Sequence, residues 1–310
     1  MIKAMLLHLG TNMWEQEGKK IATDCESSCF CDTLRFDLSV FHKVTEGMVQ
    51  NGFNTLLIDV GDGIVYDSHP EISVKGALSK NEVKSELARL RKMGLNPIPK
   101  LNFSTTHSAW LKNYAYMVGT DKYYEVCRDV IEEVIELFDT PDFFHLGLEE
   151  EDYNSQKTQP VAIVRAPYKK CEDAKFLFDI VRAKGVRPWI WADVNTVSGF
   201  GGEQKFREAV ETDVLLSNWV YGRTDRCPAD FEHYVTLAKW GYEQVPTSSI
   251  CGWHFNNYDT IEFCKNNVDE KSLAGYMNAP WQFTVERRYY ALMNNIVNFR
   301  YAWDDVYGGK

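Results

Sequence analysis

The 310-residue sequence contains no apolar run long enough to cross a membrane and no excess of basic residues. Its net charge is −10, and partners such as nucleic acid or an anionic membrane require basic patches, so we expect neither. The early apolar stretch MLLHL (residues 5–9) is far shorter than the roughly 20 residues of a spanning helix. The N-terminus also lacks the ordered regions of a signal peptide. These features predict a cytoplasmic protein, or one whose signal peptide has been removed.

Recognisable phosphate and metal motifs are also absent. The first apolar run is followed by HLGTNMW rather than by the G-x-G-x-x-G turn of dinucleotide-binding proteins. The chain has neither an H-x-H strand nor an H-E-x-x-H helix. We therefore predict no cofactor and no catalytic metal. A metal-dependent hydrolase stays an alternative, and it would draw its ligands from His8, Asp59, His107, His145 and Asp193.

The eight cysteines do not form a disulfide-like framework. Five are scattered singly in predicted helices and strands, which is typical of reduced thiols. Cys25, Cys29 and Cys31 are grouped in CESSCFC, but no second Cys/His pair accompanies them at a zinc-finger spacing. Free thiols are the favoured interpretation of this group, and a structural zinc site is the alternative.

Apolar segments and amphipathic segments alternate along the whole chain. Eight short apolar runs are predicted strands, at 4–10, 54–61, 96–103, 143–149, 187–194, 214–220, 243–249 and 273–281. Most are continuously apolar, as parallel strands covered on both faces are. Helices are predicted between and after them, at 37–51, 79–93, 121–138, 170–184, 203–211, 229–240, 258–267 and 284–301. Eight strand–helix pairs without a linker predict one α/β domain over residues 1–310, a (β/α)8 TIM barrel.

Polar and aromatic residues recur where these strands end. In a (β/α)8 barrel the carboxyl ends of the strands and the loops after them carry the active site. The candidate substrate-binding residues at these positions are Asn102, His107, His145, Trp191, Asp193, Asn218, Trp219, Tyr221 and Trp281. Tryptophan and tyrosine present flat apolar faces with a polar atom at one end, which suits the stacking of sugar rings. A small glycoside or oligosaccharide is therefore the expected partner.

The fourth strand runs into four consecutive acids in FFHLGLEEED, residues 143–152. Glu149 and Glu150 are flush with the strand end, whereas Glu151 and Asp152 are expected to be solvated loop residues. A carboxyl group among like charges and aromatic walls has a raised pKa, as a general acid at neutral pH requires. We therefore predict that Glu149 and Glu150 are the catalytic pair of a glycoside hydrolase.

Many retaining barrel glycosidases carry a second glutamate at the end of strand 7. The corresponding segment here, QVPTSSICGW, has no acid. Either the substrate supplies its own nucleophile or the second carboxylate is Asp193, Asp59 or Asp62.

The strand-4 segment resembles the motif H-x-G-G-D-E of the family 20 glycoside hydrolases, the β-N-acetylhexosaminidases and their relatives. His145, Gly147, Glu149 and Glu150 align with it, and a leucine replaces the second glycine. The similarity is strongest over residues 96–152. In that family the Asp orients the substrate's 2-acetamido group, which attacks the anomeric carbon, and the Glu is the general acid. The resemblance implies an exo-acting, hexosaminidase-like activity with Glu150 as the acid and Glu149 as its partner.

Three departures from the family pattern bear on specificity. Glu149 stands where the family has Asp, which moves the carboxylate about one methylene outward. The first strand ends in HLGTNMW without the sugar-binding Arg, and the last ends in APWQF instead of the family's W-x-E, so that Gln282 or no residue replaces the family's acid. A barrel that binds carbohydrate without hydrolysing it is therefore the alternative from a different functional class. The oligomeric state is predicted to be monomer or homodimer.

Overall fold

The computed structural model describes residues 1–15, 29–157, 159 and 161–308, and eight parallel strands form a single sheet in it. The strands are β1 (Ile2–His8), β2 (Thr55–Asp59), β3 (Asn96–Lys100), β4 (Phe143–His145), β5 (Arg187–Trp191), β6 (Leu215–Ser217), β7 (Thr247–Ser248) and β8 (Gly275–Asn278). Their order in the sheet is β6-β5-β4-β3-β2-β1-β8-β7. Hydrogen bonds from Val245 N to Leu216 O (2.7 Å) and from Thr247 N to Asn218 O (2.9 Å) join the two edges. The predicted (β/α)8 barrel is confirmed.

Ten α-helices accompany the strands in the described part of the chain. They are α1 (Leu38–Gln50), α2 (Lys80–Lys92), α3 (Asp121–Leu137), α4 (Tyr153–Gln156), α5 (Pro167–Ala183), α6 (Val194–Gly199), α7 (Glu203–Ala209), α8 (Pro228–Lys239), α9 (Asn256–Asn267) and α10 (Tyr289–Tyr307). Eight of them overlap the predicted helices. The short helices α4 and α6 were not predicted, because one or two turns are too few to show an amphipathic pattern.

Helix α2 illustrates how local sequence sets the element boundaries. The Ser79 hydroxyl accepts a hydrogen bond from Glu82 N, and the Glu82 carboxylate accepts one from Ser79 N. This reciprocal capping box satisfies amide groups that the first helical turn leaves without partners. The apolar side chains Val83, Leu87 and Leu90, spaced at helical intervals, pack against the outside of the barrel.

The barrel interior follows the two-residue alternation of its strands. Its apolar core consists of Ala4, Leu6, Leu57, Ile98, Trp189, Trp191, Leu215, Val245, Met277 and Ala279. Towards the carboxyl ends of β1–β4 the same inward-facing rows become polar, with His8, Asp59, Lys100 and His145. These residues are register partners on neighbouring strands: His8 pairs with Asp59, Asp59 with Lys100, and Lys100 with His145. We call this set the floor layer, because it underlies the loops of the barrel mouth.

Other predictions concern cysteines and location. The seven cysteines in the described ranges are free of disulfides, and the CESSCFC prediction depends partly on Cys25, which lies outside those ranges. None of the helices that the structure describes is long and apolar enough to cross a membrane. The cytoplasmic location and the single domain over residues 1–310 stay predictions.

Candidate active site

The floor layer is a buried ion pair flanked by two histidines. The Lys100 ammonium lies 2.5 Å from Asp59 Oδ2, and His8 Nδ1 lies 3.4 Å from the same oxygen. Burial alone would raise the pKa of Asp59, but the Lys100 charge and His8 outweigh it and hold that pKa at about 2. Asp59 is therefore an ionised partner of Lys100, and the suggestion that it is the second catalytic carboxylate loses support. Lys100 was not among the residues predicted from the sequence, although a charge in the inward-facing row of a buried strand was a usable signal.

His145 lies beneath the acidic pair and is fully buried. Its Nδ1 accepts a hydrogen bond from Gly147 N (3.1 Å), and its ring packs edge-on against Trp191 at 4.7 Å. Burial, and next to it the Lys100 charge, lowers the pKa of His145 well below its usual range. A neutral ring that accepts at Nδ1 carries its proton on Nε2. That Nε2 atom has no hydrogen-bond partner among the described residues.

The loop after β4 has an unusual backbone. Gly147, Leu148 and Glu150 have φ angles of 75°, 76° and 53°, in the left-handed region. A Cβ on residue 147 would lie 1.9 Å from the Asn102 side-chain oxygen, so only glycine fits there. Left-handed geometry costs roughly 1–2 kcal/mol at each non-glycine residue. The surrounding contacts must therefore hold this loop in place.

Glu149 is buried and only half satisfied. Its Oε1 accepts a hydrogen bond from the Asn102 amide (2.7 Å), whereas its Oε2 has no partner in the described part of the chain. Burial is the main cause that raises the pKa of Glu149 to about 8, and the Lys100 charge opposes it. The predicted direction of the pKa shift is confirmed, but the neighbouring Glu150 charge contributes little to it. Glu149 is thus a protonated carboxyl at neutral pH with one oxygen available to a ligand.

Glu150 is the more accessible acid, with 34% of its side chain exposed. Burial, and then the charges of Asp193 and Asp152, raise its pKa to about 7. His107 lies between the two acids, with Nε2 3.5 Å from Glu150 Oε2 and Nδ1 3.8 Å from Glu149 Oε1. Burial and the Lys100 charge lower the pKa of His107 to about 3, so its ring is neutral.

Aromatic side chains surround these acids. The Trp281 ring lies within 6.3 Å of Trp191 and 6.2 Å of Trp14, and its indole N–H donates to the Tyr221 hydroxyl (2.8 Å). Trp219 stacks on Tyr221 at 5.1 Å with an interplanar angle of 23°. Trp14 also packs edge-on against His107 at 5.4 Å. Trp14 follows the first predicted strand in HLGTNMW, but it was not among the predicted substrate-binding residues.

Two of the predicted binding residues have other contacts. The Asp193 carboxylate accepts from Asn195 N, Thr196 N and the Thr196 hydroxyl, and so caps α6. Asn218 directly follows β6 and continues its outward-facing row, and its amide donates to the Asp230 carbonyl in α8 (3.1 Å). The structure therefore does not bring Asn218 together with the acidic pair. Asp193 still acts on the acidic pair, because its charge contributes to the raised pKa of Glu150.

The expectation that Glu151 is a solvated loop residue is wrong. Its side chain is 1% exposed, with Oε1 2.5 Å from the Arg165 guanidinium and Oε2 3.6 Å from the Lys170 ammonium. The two cations come from the segment around α5 and are distant in sequence, so a local pattern does not reveal them. Asp152, in contrast, caps α4 by accepting from Ser155 N (3.0 Å).

Asp62 is also less free than a catalytic acid needs to be. It is buried, and its Oδ2 accepts a hydrogen bond from the Asn12 amide (2.6 Å). Burial raises its pKa to about 6.

Among the described residues, no group of three or more His, Cys, Asp or Glu side chains converges in a way that could hold a metal ion. In the described part of the chain, the five residues named for the metal-dependent alternative therefore do not form such a group.

Comparisons with known proteins identify the type of barrel. The structure is similar to the family 20 (GH20) exo-β-N-acetylglucosaminidase from Vibrio harveyi, with a TM-score of 0.63 and 13% identity over 95% of this chain and 54% of that one. It is similar to Dispersin B, with a TM-score of 0.60 and 15% identity over 88% and 96% of the two chains. It is also similar to the Streptomyces plicatus β-hexosaminidase, with a TM-score of 0.63 and 14% identity over 96% and 63%.

The fold is therefore a GH20-like (β/α)8 barrel, as the strand-4 motif implied. The chain spans only about half the length of the Vibrio enzyme. Neither the protein-family comparison nor the comparison with curated proteins gives a match for this sequence. At 12–15% identity the likeness shows the fold, and the activity has to be argued from the site.

Proposed function

We propose that the protein is a glycoside hydrolase that acts on a small β-N-acetylhexosaminide or related oligosaccharide. The observation that carries the proposal is the pair Glu149 and Glu150, two carboxyls with raised pKa at the mouth of a barrel walled by tryptophans. Carboxyl pairs with raised pKa in a cleft are typical of acid–base catalysis. The solved proteins with a similar fold include enzymes named for hydrolysis of β-linked N-acetylhexosamines, which supports the same substrate class here.

Glu150 is the proposed general acid. A pKa of about 7 keeps a large fraction of this group protonated at neutral pH while leaving it able to release the proton. Its partial exposure lets it reach the glycosidic oxygen of a substrate bound against the tryptophans. The neutral His107 ring at 3.5 Å limits where the carboxyl can turn.

Glu149 is the proposed partner of the substrate's 2-acetamido group. Asn102 holds Oε1, and Oε2, which has no hydrogen-bond partner among the described residues, carries the carboxyl proton in the free protein and is the oxygen left for the substrate. The positive charge that forms at this amide when its oxygen attacks would lower the pKa of Glu149, so that the carboxyl releases its proton to solvent and the resulting carboxylate accepts the amide N–H. The alternative, a water activated jointly by Glu149 and Asp193, has less support because Asp193 caps α6.

The chemistry then has two steps. In the first, the bond from the anomeric carbon to the leaving oxygen breaks, Glu150 donates its proton to that oxygen, and the acetamido oxygen bonds to the anomeric carbon. In the second, water attacks the same carbon, Glu150 takes a proton from it, and the acetamido group is released. Two inversions leave the anomeric configuration of the product unchanged.

The test is a panel of 4-nitrophenyl glycosides carrying β-GlcNAc, β-GalNAc, β-Gal, β-Glc and α-linked sugars. We expect turnover of an N-acetyl-β-hexosaminide, and a loss of about 10²–10⁴-fold in Glu150→Gln. Glu136→Gln removes an exposed carboxylate of α3 and is the matched control, with activity expected to be unchanged.

Each other outcome of this panel points to a different function. Turnover restricted to sugars without the acetamido group would keep Glu150 as the acid and refute the role of Glu149. If no glycoside is hydrolysed but sugars still raise the melting temperature, the protein is a carbohydrate-binding barrel.

A further inference from the structure

In the left-handed loop that carries Glu149 and Glu150, successive backbone carbonyls accept hydrogen bonds from side chains outside the loop. The Lys170 ammonium donates to the Leu148 carbonyl (3.0 Å), and the Ser104 hydroxyl donates to the Glu149 carbonyl (2.5 Å). The Thr106 hydroxyl donates to the Glu150 carbonyl (2.5 Å). Three consecutive carbonyl groups therefore face donors from the β3 loop and from α5.

Lys170 is the most unusual of these donors. Its side chain is 1% exposed, and a buried ammonium is unfavourable unless it is paired and hydrogen-bonded. Its ammonium lies 3.6 Å from Oε2 of Glu151, the residue that follows the proposed acid in the sequence. The ammonium is also 5.0 Å from the centre of the Phe200 ring. A Cβ on residue 199, which is glycine here, would lie 3.1 Å from the ammonium, so the α6 backbone also confines it.

Glu151 anchors the other end of the loop. Its Oε1 accepts from Thr105 N (3.0 Å) and lies 2.5 Å from the Arg165 guanidinium. The same guanidinium reaches the Phe103 carbonyl (3.3 Å) and the Tyr123 hydroxyl (3.0 Å). The segment from residue 148 to residue 151 is thus fixed to the loop after β3, to Lys170 of α5 and, through Arg165, to Tyr123 of α3.

We propose that Lys170 and Thr106 are positioning residues that hold the backbone of Glu150 so that its carboxyl reaches the leaving oxygen. The inference rests on the proposed function of Glu150 as the general acid. A right-handed φ at residue 150 would redirect the side chain, and a displacement of about 1 Å at a reacting group can cost about 100-fold in rate. The hydrogen bonds to the carbonyls of residues 148 and 150 oppose that rotation.

The experiment compares leaving groups in Lys170→Met and Thr106→Val. Aryl N-acetyl-β-hexosaminides with 2,4-dinitrophenyl, 4-nitrophenyl and phenyl leaving groups are assayed for kcat and KM. Dinitrophenolate leaves without protonation, whereas phenolate needs the acid. We expect about a 10–100-fold loss of kcat on the phenyl glycoside, less than about a threefold loss on the dinitrophenyl glycoside, and unchanged KM. Glu150→Gln should show the same dependence more strongly.

Thr106→Val is nearly isosteric, so it separates positioning from folding if Lys170→Met is poorly folded. Lys175→Met, an exposed lysine of α5, and Thr236→Val on α8 are the matched controls, with unchanged kcat expected on all three substrates. Equal losses of kcat on all leaving groups, or no loss in either variant, would overturn the proposal.

A second measurement does not depend on the activity. Crystal structures of Lys170→Met and Thr106→Val should show residue 150 away from its φ of 53° and away from its 3.5 Å contact with His107. If both features persist in both variants, the positioning role is refuted. If wild-type protein hydrolyses none of the glycosides, the proposed function fails, and these structures still decide the positioning.

Discussion

Glu149 makes the stability of the fold fall as pH rises, because its pKa is about 8 in the folded protein against an ordinary value of 4.5. Between these two values the unfolded chain has released the proton and the folded chain retains it. The unfolded state then binds fewer protons, so the free energy of unfolding decreases with pH. Below pH 4.5 both states are protonated, and the contribution of Glu149 disappears.

The magnitude follows from the size of the pKa shift. Each increase of one pH unit between pH 5 and pH 8 lowers the free energy of unfolding by about 1.4 kcal/mol through Glu149 alone. The loss amounts to about 3 kcal/mol at pH 7 and about 4 kcal/mol at pH 8. The side chain is almost fully buried, so solvent screening reduces this figure little.

Glu149→Gln tests this reasoning. Glutamine keeps an oxygen that accepts from the Asn102 amide and cannot ionise, so the variant should lose the pH dependence that Glu149 causes. The assay is urea unfolding followed by tryptophan fluorescence at pH 5, 6, 7 and 8. The free energy of unfolding should fall by about 3 kcal/mol per M urea. Between pH 5 and pH 8, the urea midpoint of the variant should therefore rise by about 1 M relative to that of the wild type.

The comparison uses the change of the midpoint difference with pH, because any packing cost of the glutamine is the same at every pH. Glu136→Gln, which removes an exposed carboxylate, should follow the wild type at every pH. A midpoint difference between Glu149→Gln and wild type that is constant from pH 5 to pH 8 would refute a raised pKa at Glu149.

Three further predictions concern the same end of the barrel. Gly147→Ala should lower the free energy of unfolding by about 2–4 kcal/mol, since the Cβ would collide with Asn102 and residue 147 has a φ of 75°. Lys100→Met should cost about 3–5 kcal/mol by leaving the Asp59 carboxylate buried without its cation, and adding Asp59→Asn should recover much of this loss. The value of kcat/KM should decrease above about pH 8, because Glu150, with a pKa of about 7, loses the proton it donates, whereas Glu149 is already largely ionised there.

Simple controls accompany these measurements. Gly94→Ala lies at a left-handed turn without close neighbours, so only the backbone cost of about 1–2 kcal/mol is expected there. Equal losses at the two glycines would remove the argument from Asn102. Failure of Asp59→Asn to improve the Lys100 variant would show that the ion pair is not the source of the loss. A kcat/KM constant up to pH 9 would contradict Glu150 as the acid.

The sequence was enough to predict the barrel and the end of it that carries the candidate site. Alternation of apolar runs with amphipathic helices is a local pattern, and each of the eight strands overlaps its predicted range. The acids at 149 and 150 follow the fourth apolar run, but the expectation that they are flush with the strand end is wrong, because β4 ends at His145 and both lie in the loop after it. The family motif added the expected division of roles between them, which stays a prediction.

Strand alternation also contained information that we did not use. On β6, Ser217 faces inward with Leu215, so Asn218 faces outward to α8. On β3, Lys100 continues the inward-facing row of Ile98 into the floor layer. Both positions could have been assigned from the period of two once the strands were located.

The remaining features depend on residues that are distant along the chain. Glu151 is buried because Arg165 and Lys170 approach it from α5 and the segment before it, and the raised pKa of Glu149 comes chiefly from burial. The left-handed loop is stable only with donors from the β3 loop and α5. Local sequence therefore determined which residues form strands and helices and where the acids lie. The tertiary packing decided their ionisation and orientation, because burial and hydrogen-bond partners are properties of neighbours in space.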